Sequence, residues 1–269
     1  QQGGFVYGQS ERQIRQLGLE QLHKNNFTGQ GLLIAVLDSG FPNVDRMLAF
    51  DRLRFDGRLW EGYDFVDRST DIHSSNGSDH GTKVLSCMAA FVEGQFVGTA
   101  PDAEFVLFRT EDSATETPVE ESYWVEAAER ADSLGVDLIN SSLGYSTFDD
   151  PNYNYRPSEM DGSSTFVSKG ANIAMEKGIL VVASAGNSGD SQWGIITAPA
   201  DARVFAVGAV DDNGHYVDFS SRGPNALGQF KPDGMALGKA AVVVGPDDRL
   251  VSGNGTSFSS PIMAGAIAS

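Results

Sequence analysis

A carboxylate, an imidazole, an amide and a hydroxyl stand in this 269-residue chain where plain solvent exposure explains them poorly. Asp38 closes the apolar run Leu32 to Leu37, and His80 opens a segment with apolar residues at Val84, Leu85, Met88 and Phe91. Asn187 follows Ser184-Ala185-Gly186 after another apolar run, and Ser257 follows Gly255-Thr256 just before a small-residue apolar stretch. A carboxylate at the end of a buried parallel strand lies on the edge where α/β folds place their sites. A serine in the first turn of a helix sits among backbone N–H groups that lack partners, where the helix dipole favours negative charge. Together the four groups are those that a nucleophilic serine, its general base and an oxyanion hole require. Each has an ordinary alternative: Asp38 and Asn187 as turn residues, His80 as a helix-start residue, Gly-Thr-Ser as a helix cap. Considered jointly, the chemical reading outweighs these.

Composition narrows the partners. Nineteen basic against 36 acidic residues give a net charge of −17, which disfavours nucleic acid and anionic membranes. No run of about 18 apolar residues exists, so no membrane span is expected. Gln1-Gln2-Gly3-Gly4 lacks a basic region followed by an apolar core, so no secretory leader is expected within the sequence. The single cysteine, Cys87, rules out an internal disulfide, and its apolar neighbours Val84, Leu85 and Met88 point to a buried, inert thiol. His23, His73 and His215 lack a context comparable to that of His80 and are assigned to the surface.

The elements that must position the four groups read as an alternation. Ser10 to Gln13 has the form of a capping box, predicting a helix to about Lys24. Strands are predicted at Leu32–Leu37, Glu104–Phe108, Val136–Asn140, Ile179–Val182 and Val204–Val210, with a short one at Gly62–Val66. Helices are predicted from His80, at Val119–Leu134 with Gly135 as the stop, and at Phe166–Lys177 with Gly178 as the stop. Tyr145 to Asp161 reads as a long surface loop, and Asp211-Asp212-Asn213-Gly214 as a hairpin-like turn. Buried strands alternating with helices predict a three-layer α/β fold, a mainly parallel sheet with helices on both faces, in one domain over residues 1–269.

At the level of motifs, Ile34 to Gly40, His80-Gly81-Thr82, Ala185-Gly186-Asn187 and Gly255 to Pro261 resemble the signature blocks of the subtilisin-like serine proteases. The order Asp, His, Ser is also that family's order. Gly98 to Pro101, Ser141 to Gly144, Phe219 to Pro224 and Lys231-Pro232-Asp233 extend the resemblance over roughly Thr28 to Ser269. The resemblance implies a secreted serine endopeptidase: Ser257 the nucleophile, His80 the base, Asp38 its orienting partner, and Asn187 with the Ser257 N–H the oxyanion hole. It implies that Ser141, Ser142, Leu143 and Gly144 lie extended beside the cleft and pair with a polypeptide substrate as an added strand. It also implies that Ser184, Ala185 and Gly186 wall the pocket for the residue before the scissile bond. Thr197 then lies near the base of that pocket and narrows it, favouring medium apolar side chains. The acidic loop carrying Glu111, Asp112 and Glu116 is expected either to flank the acyl side, with a modest preference for basic residues further from the cut, or to be a plain solvated loop. The chemistry needs no cofactor; structural calcium remains open, with acid pairs such as Asp149-Asp150 and Asp211-Asp212 suited to oxygen-ligand sites. A catalytically silent copy of the fold, serving as a binding or structural module, is the alternative, and such copies commonly lose one of the four groups. An unrelated α/β hydrolase is less consistent, because Ser257 does not lie in a Gly-x-Ser-x-Gly elbow.

Three departures from the family pattern bear on this reading. The sequence stops soon after Ser257, so Ala264 to Ser269 are expected to be left partly uncovered, with a further C-terminal segment or domains missing. Tyr145 to Asp161 is long and is a candidate lid or exosite. The link from Phe91 to Gly98 is too short for the calcium loop of some relatives.

Overall fold

The apolar run that ends at Asp38 is a strand, β1 (Leu33–Asp38), buried along its whole length. The computed structural model describes residues 4–74 and 78–269. Before β1 come α1 (Glu11–Gln16) and α2 (Leu19–Lys24). After it follow α3 (Asp51–Phe55), β2 (Tyr63–Asp64), α4 (His80–Ala89), β3 (Phe91–Val92), β4 (Phe96–Val97) and β5 (Glu104–Arg109). Then come α5 (Val119–Leu134), β6 (Leu138–Ser141), α6 (Phe166–Glu176), β7 (Leu180–Ser184) and β8 (Phe205–Val210). The chain continues through β9 (Gly234–Leu237), β10 (Ala241–Val244) and β11 (Leu250–Gly253) to α7 (Thr256–Ala268).

Seven strands form one sheet in the order β2-β5-β1-β6-β7-β8-β9, with every pairing parallel. Parallel neighbours need crossover connections, and their helices cover both faces. The two-residue period of β1 sorts its side chains between the faces. Leu33, Ala35 and Leu37 join the core built with α5 and α6, through Trp124, Ala127, Val167 and Ala171. Ile34 and Val36 join the core built with α4 and α7, through Val84, Leu85, Met88 and Ile262. Asp38 shares their parity, so it faces the layer that carries His80 and Ser257. The three-layer α/β architecture is the one predicted.

Local departures have local causes. The first predicted helix is two, broken at Leu17-Gly18 because Gly18 takes φ 69°. Ser10 caps nothing; its hydroxyl bonds Tyr7 O and Val97 O and accepts from Val97 N. Gln13 reaches the backbone of Val242 in β10 rather than its own helix end. His23 is a correction: it is 4% exposed, with Nδ1 against the Tyr7 hydroxyl and Nε2 against Thr99 O. An imidazole with a partner at each nitrogen tolerates burial, which its sequence context does not reveal. The hairpin of β3 and β4, strand β9, and the hairpin of β10 and β11 escaped the sequence reading because each strand is only two to four residues long.

The two segments expected at the surface are exposed in part. Ala264, Gly265 and Ala268 are buried, and only Ile267 of the terminal stretch is exposed, at 38%. The long loop after β6 is pinned rather than loose: the Tyr155 hydroxyl donates to Glu121, Asn154 Oδ1 accepts from Phe148 N, and Asp149 accepts from Glu116 N. Cys87 is fully buried, as expected, and burial pushes its thiol pKa up.

α7 reaches its place because small residues let it approach. A Cβ added at Gly265 would overlap the Thr99 hydroxyl, in the turn that follows β4. Gly265→Ala should therefore lower the unfolding free energy by about 1–3 kcal/mol. The loss would be read as a lower urea midpoint at unchanged slope, and an unchanged midpoint refutes the close approach.

Candidate active site

Asp38 is fully buried at the end of β1. Its Oδ1 accepts from the Ser39 N–H at 2.7 Å, from the Ser39 hydroxyl at 3.2 Å and from His80 Nδ1 at 2.7 Å. Oδ2 is buried with no hydrogen-bond partner among the described residues. Since a carboxylate only accepts, His80 carries its proton on Nδ1 and leaves Nε2 as the basic nitrogen. Burial pulls the His80 pKa down, but the charge of Asp38 and its hydrogen bond outweigh this, and the net value is raised above the ordinary one. His80 is placed by the next residue: a Cβ at Gly81 would meet the Phe41 ring at 2.8 Å and Asp38 Cβ at 3.0 Å, besides overlapping Gly40 O. Only glycine lets the start of α4 lie on the Asp38-Ser39-Gly40 turn.

Ser257 is the second residue of α7 and 9% exposed. Its helix begins at Gly255, whose φ of 150° and whose built Cβ, 2.9 Å from Ser257 Oγ, both require glycine. Pro261 lies inside α7 and has no N–H to give the carbonyl four residues back, which is that of Ser257. The Ser142 hydroxyl bonds that carbonyl instead, at 2.9 Å. Ser142 Oγ in turn accepts from the Asn140 amide at 3.1 Å, and Asn140 Oδ1 accepts from the Ser260 hydroxyl at 3.1 Å. A proline and a buried asparagine thus lock the serine's turn to the end of β6. The Phe258 and His80 rings lie 5.8 Å apart, placing the imidazole beside that turn. No hydrogen bond joins the Ser257 hydroxyl to His80 among the described residues; such contacts commonly tighten only when substrate is bound.

Asn187 is exposed at the loop after β7. Its Oδ1 accepts from the Thr256 N–H at 2.8 Å and the Thr256 hydroxyl at 3.0 Å. With the carbonyl side anchored, Nδ2 is left to donate, and the Cβ built at Gly255 lies 3.6 Å from it. The Ser257 N–H has no carbonyl one turn behind it within α7. Amide and N–H together form a pair of donors beside one hydroxyl.

The remaining predicted residues divide. Ser141 is inside β6, where its hydroxyl accepts from the Trp124 indole at 2.9 Å, so it serves the core on the α5 side. Leu143 is half-buried and Gly144 exposed, beyond the strand. The Ser184 hydroxyl donates to Leu143 O at 3.2 Å, joining this segment to the wall formed with Ala185 and Gly186. Thr197 is 5% exposed, and its hydroxyl is buried without a partner among the described residues. A Cβ at Gly144 would overlap that hydroxyl, and one at Gly186 would lie 2.9 Å from it. Thr197 therefore fills the space between the two glycine walls. Sequence reasoning missed Asn140, Thr256 and Pro261 as positioning residues. A proline inside an apolar helix was the available signal for an orphaned carbonyl at Ser257.

The acid pairs brace turns and surface contacts. Asp150 and Asp211 accept from backbone N–H groups of their own loops, and Asp212 pairs with Arg12 at 3.4 Å. Among the described residues no group of three or more His, Cys, Asp or Glu side chains converges as a metal-binding set.

Comparison with known proteins identifies the family. A profile of the subtilase family, Peptidase S8, matches residues 29–269. Subtilisin E of Bacillus subtilis (strain 168) is 31% identical over 258 residues, which cover 95% of this chain and 59% of that protein. Serine protease AprX of the same strain is 29% identical over 271 residues, covering 90% of this chain and 57% of its own length. Among solved structures, the prenylagaramide maturation protease PagA matches with a TM-score of 0.69 at 26% identity, over 93% of this chain and 78% of that one. The chain thus spans less than two-thirds of the length of these two curated relatives. With the profile covering nearly the whole chain on a seven-stranded parallel α/β sheet, the protein belongs to the subtilase family.

Proposed function

We propose that this chain is the peptidase domain of a secreted subtilisin-like serine endopeptidase, which cleaves peptide bonds in extended polypeptide segments through Asp38, His80 and Ser257. The observation that carries this reading is the 2.7 Å bond from His80 Nδ1 to a fully buried Asp38, beside the helix turn that bears Ser257. Ser257 Oγ attacks the scissile carbonyl while His80 Nε2 takes its proton. The imidazolium so formed is stabilised by Asp38 and gives the proton to the leaving amine. A water activated by the same nitrogen then hydrolyses the acyl-enzyme. The Asn187 amide and the Ser257 N–H donate to the developing oxyanion. Every step uses groups of the chain itself and water. Secretion is inferred from the family resemblance; among the described residues no helix is long and apolar enough to cross a membrane.

Ser142 to Gly144 offer an extended edge to substrate backbone, and Thr197 limits which side chains enter the pocket beyond it. The closeness of its hydroxyl to both glycine walls supports a pocket tighter than medium apolar side chains need, suited to glycine, alanine or serine. A silent binding module gains no support, because all four functional side chains are present and oriented by neighbours.

A fluorophosphonate probe should label the full-length protein and fail to label Ser257→Ala; a folded wild-type protein that takes no label overturns the peptidase reading. Asn187→Ala should keep labelling yet lower kcat on the order of 10²–10³-fold with KM little changed. Thr197→Gly should raise kcat/KM for a phenylalanine relative to an alanine before the scissile bond by about 10–100-fold, and an unchanged ratio places the pocket elsewhere.

A further inference from the structure

Sheet order sets two side chains on opposite banks of the strand that carries Asp38. β5 and β6 flank β1, so Glu111, two residues past β5, and Tyr145, four past β6, face each other across its carboxyl end. The Tyr145 hydroxyl donates to Glu111 Oε1 at 2.5 Å, and the Thr110 hydroxyl reaches the same oxygen at 3.1 Å. Both ends of this bridge belong to the cleft. The Thr110 N–H donates to Asp38 O at 3.0 Å, while Tyr145 follows Gly144 directly and exchanges backbone bonds with Ala198 at 2.8 and 3.1 Å.

Tyr145 is 1% exposed and Glu111 is 8% exposed. Glu111 Oε2 takes no hydrogen bond among the described residues, yet it is not among the polar atoms sealed in the interior without a partner. One carboxyl oxygen is therefore fixed by two hydroxyls, and the other, without a partner among the described residues, keeps some access to solvent.

Glu111 forms no salt bridge among the described residues. Glu120 of α5 accepts from the Asp112 and Thr117 N–H groups, and Glu116 with Asp149 lies beyond. Arg109, the basic residue closest in the chain, is held by Asp64 and Asp67 at 2.8 and 2.7 Å. Burial pushes the Glu111 pKa well above the ordinary carboxylate range, and the charges of Glu120 and Glu116 add to this despite the Tyr145 and Thr110 bonds. Glu116 is pushed up to about 7, first by burial and then by Glu120 and Asp149.

We propose that Glu111, held by Tyr145 across the end of β1, is a specificity-determining residue on the acyl side of the cleft and takes a lysine or arginine side chain of the substrate. This rests on the peptidase reading and narrows the charge preference of the loop to one carboxyl group. A neutral Glu111 gains little from a cation, whereas an ionised one beside other acids gains a partner that the protein does not supply. Binding a basic side chain favours the ionised form of Glu111. The preference for that side chain consequently strengthens as pH rises.

The test compares peptides that differ only in lysine against norleucine at the second, third or fourth residue before the scissile bond. The lysine-to-norleucine ratio of kcat/KM should rise about tenfold from the acid to the alkaline end of the active pH range at one of these positions. Titration of His80 acts on both peptides alike and cancels in the ratio. Glu111→Gln keeps the acceptor for Tyr145 but cannot ionise, and it should show a ratio near unity with no slope. A wild-type ratio that is flat at all three positions, or a slope that survives in Glu111→Gln, overturns the proposal. Cleavage of neither peptide counts against the peptidase reading alone, because the same comparison is then made as binding affinity to Ser257→Ala by calorimetry.

Discussion

Burying a carboxylate at the end of β1 is the constraint around which this protein is arranged. An ion that leaves water loses several kcal/mol of solvation even after the surroundings relax, unless donors are waiting. Asp38 meets them on one oxygen only: the Ser39 N–H, the Ser39 hydroxyl and His80 Nδ1. The same hydrogen bonds that make the burial tolerable fix the imidazole tautomer and raise its basicity. Stability and chemistry therefore share one contact. The start of α4 can supply it because Gly81 presents no Cβ to the turn after β1.

The serine is held by a different set of hydrogen bonds. α7 carries no charged side chain, so hydroxyls and its one proline define its position along its own axis. Pro261 removes one helix bond, and the freed Ser257 carbonyl becomes an acceptor that the Ser142 hydroxyl finds. Asn140 then ties Ser142 and Ser260 together from within β6. Thr256, next to Ser257, orients Asn187 through both its N–H and its hydroxyl. Buried polar networks of this kind specify a unique arrangement when every member is satisfied. Two of the atoms left unpartnered, Asp38 Oδ2 and the Thr197 hydroxyl, lie in the cleft region.

An excess of acid over base shapes the other half of the cleft. With a net charge of −17, several carboxylates form no salt bridge among the described residues, and the protein accommodates them through hydroxyl and backbone donors. Tyr145 serves Glu111, Tyr155 serves Glu121, and backbone N–H groups serve Glu120. The Tyr155–Glu121 bond clamps the long loop after β6 onto α5, and the Tyr145–Glu111 bond ties that loop to the one after β5. Burial is the first cause that raises the pKa of each of these three glutamates.

The sequence by itself determined the sheet, its flanking helices and the placing of four polar groups at their ends, because each signal is short-range. Apolar runs and glycine stops mark elements, and blocks such as Asp38-Ser39-Gly40 mark their ends. Shorter elements such as β3, β4 and β9 fell below the length at which periodicity can speak. Only the tertiary structure decided what depends on partners distant in the chain. His23 is buried because Tyr7 and Thr99 meet its two nitrogens, and Ser141 turns from the cleft because Trp124 claims its hydroxyl. Thr197 closes the pocket because Gly144 and Gly186 converge on it. Residue type tells which groups can do chemistry; which of them a distant donor or a missing Cβ leaves free to do so is settled only when the chain has folded.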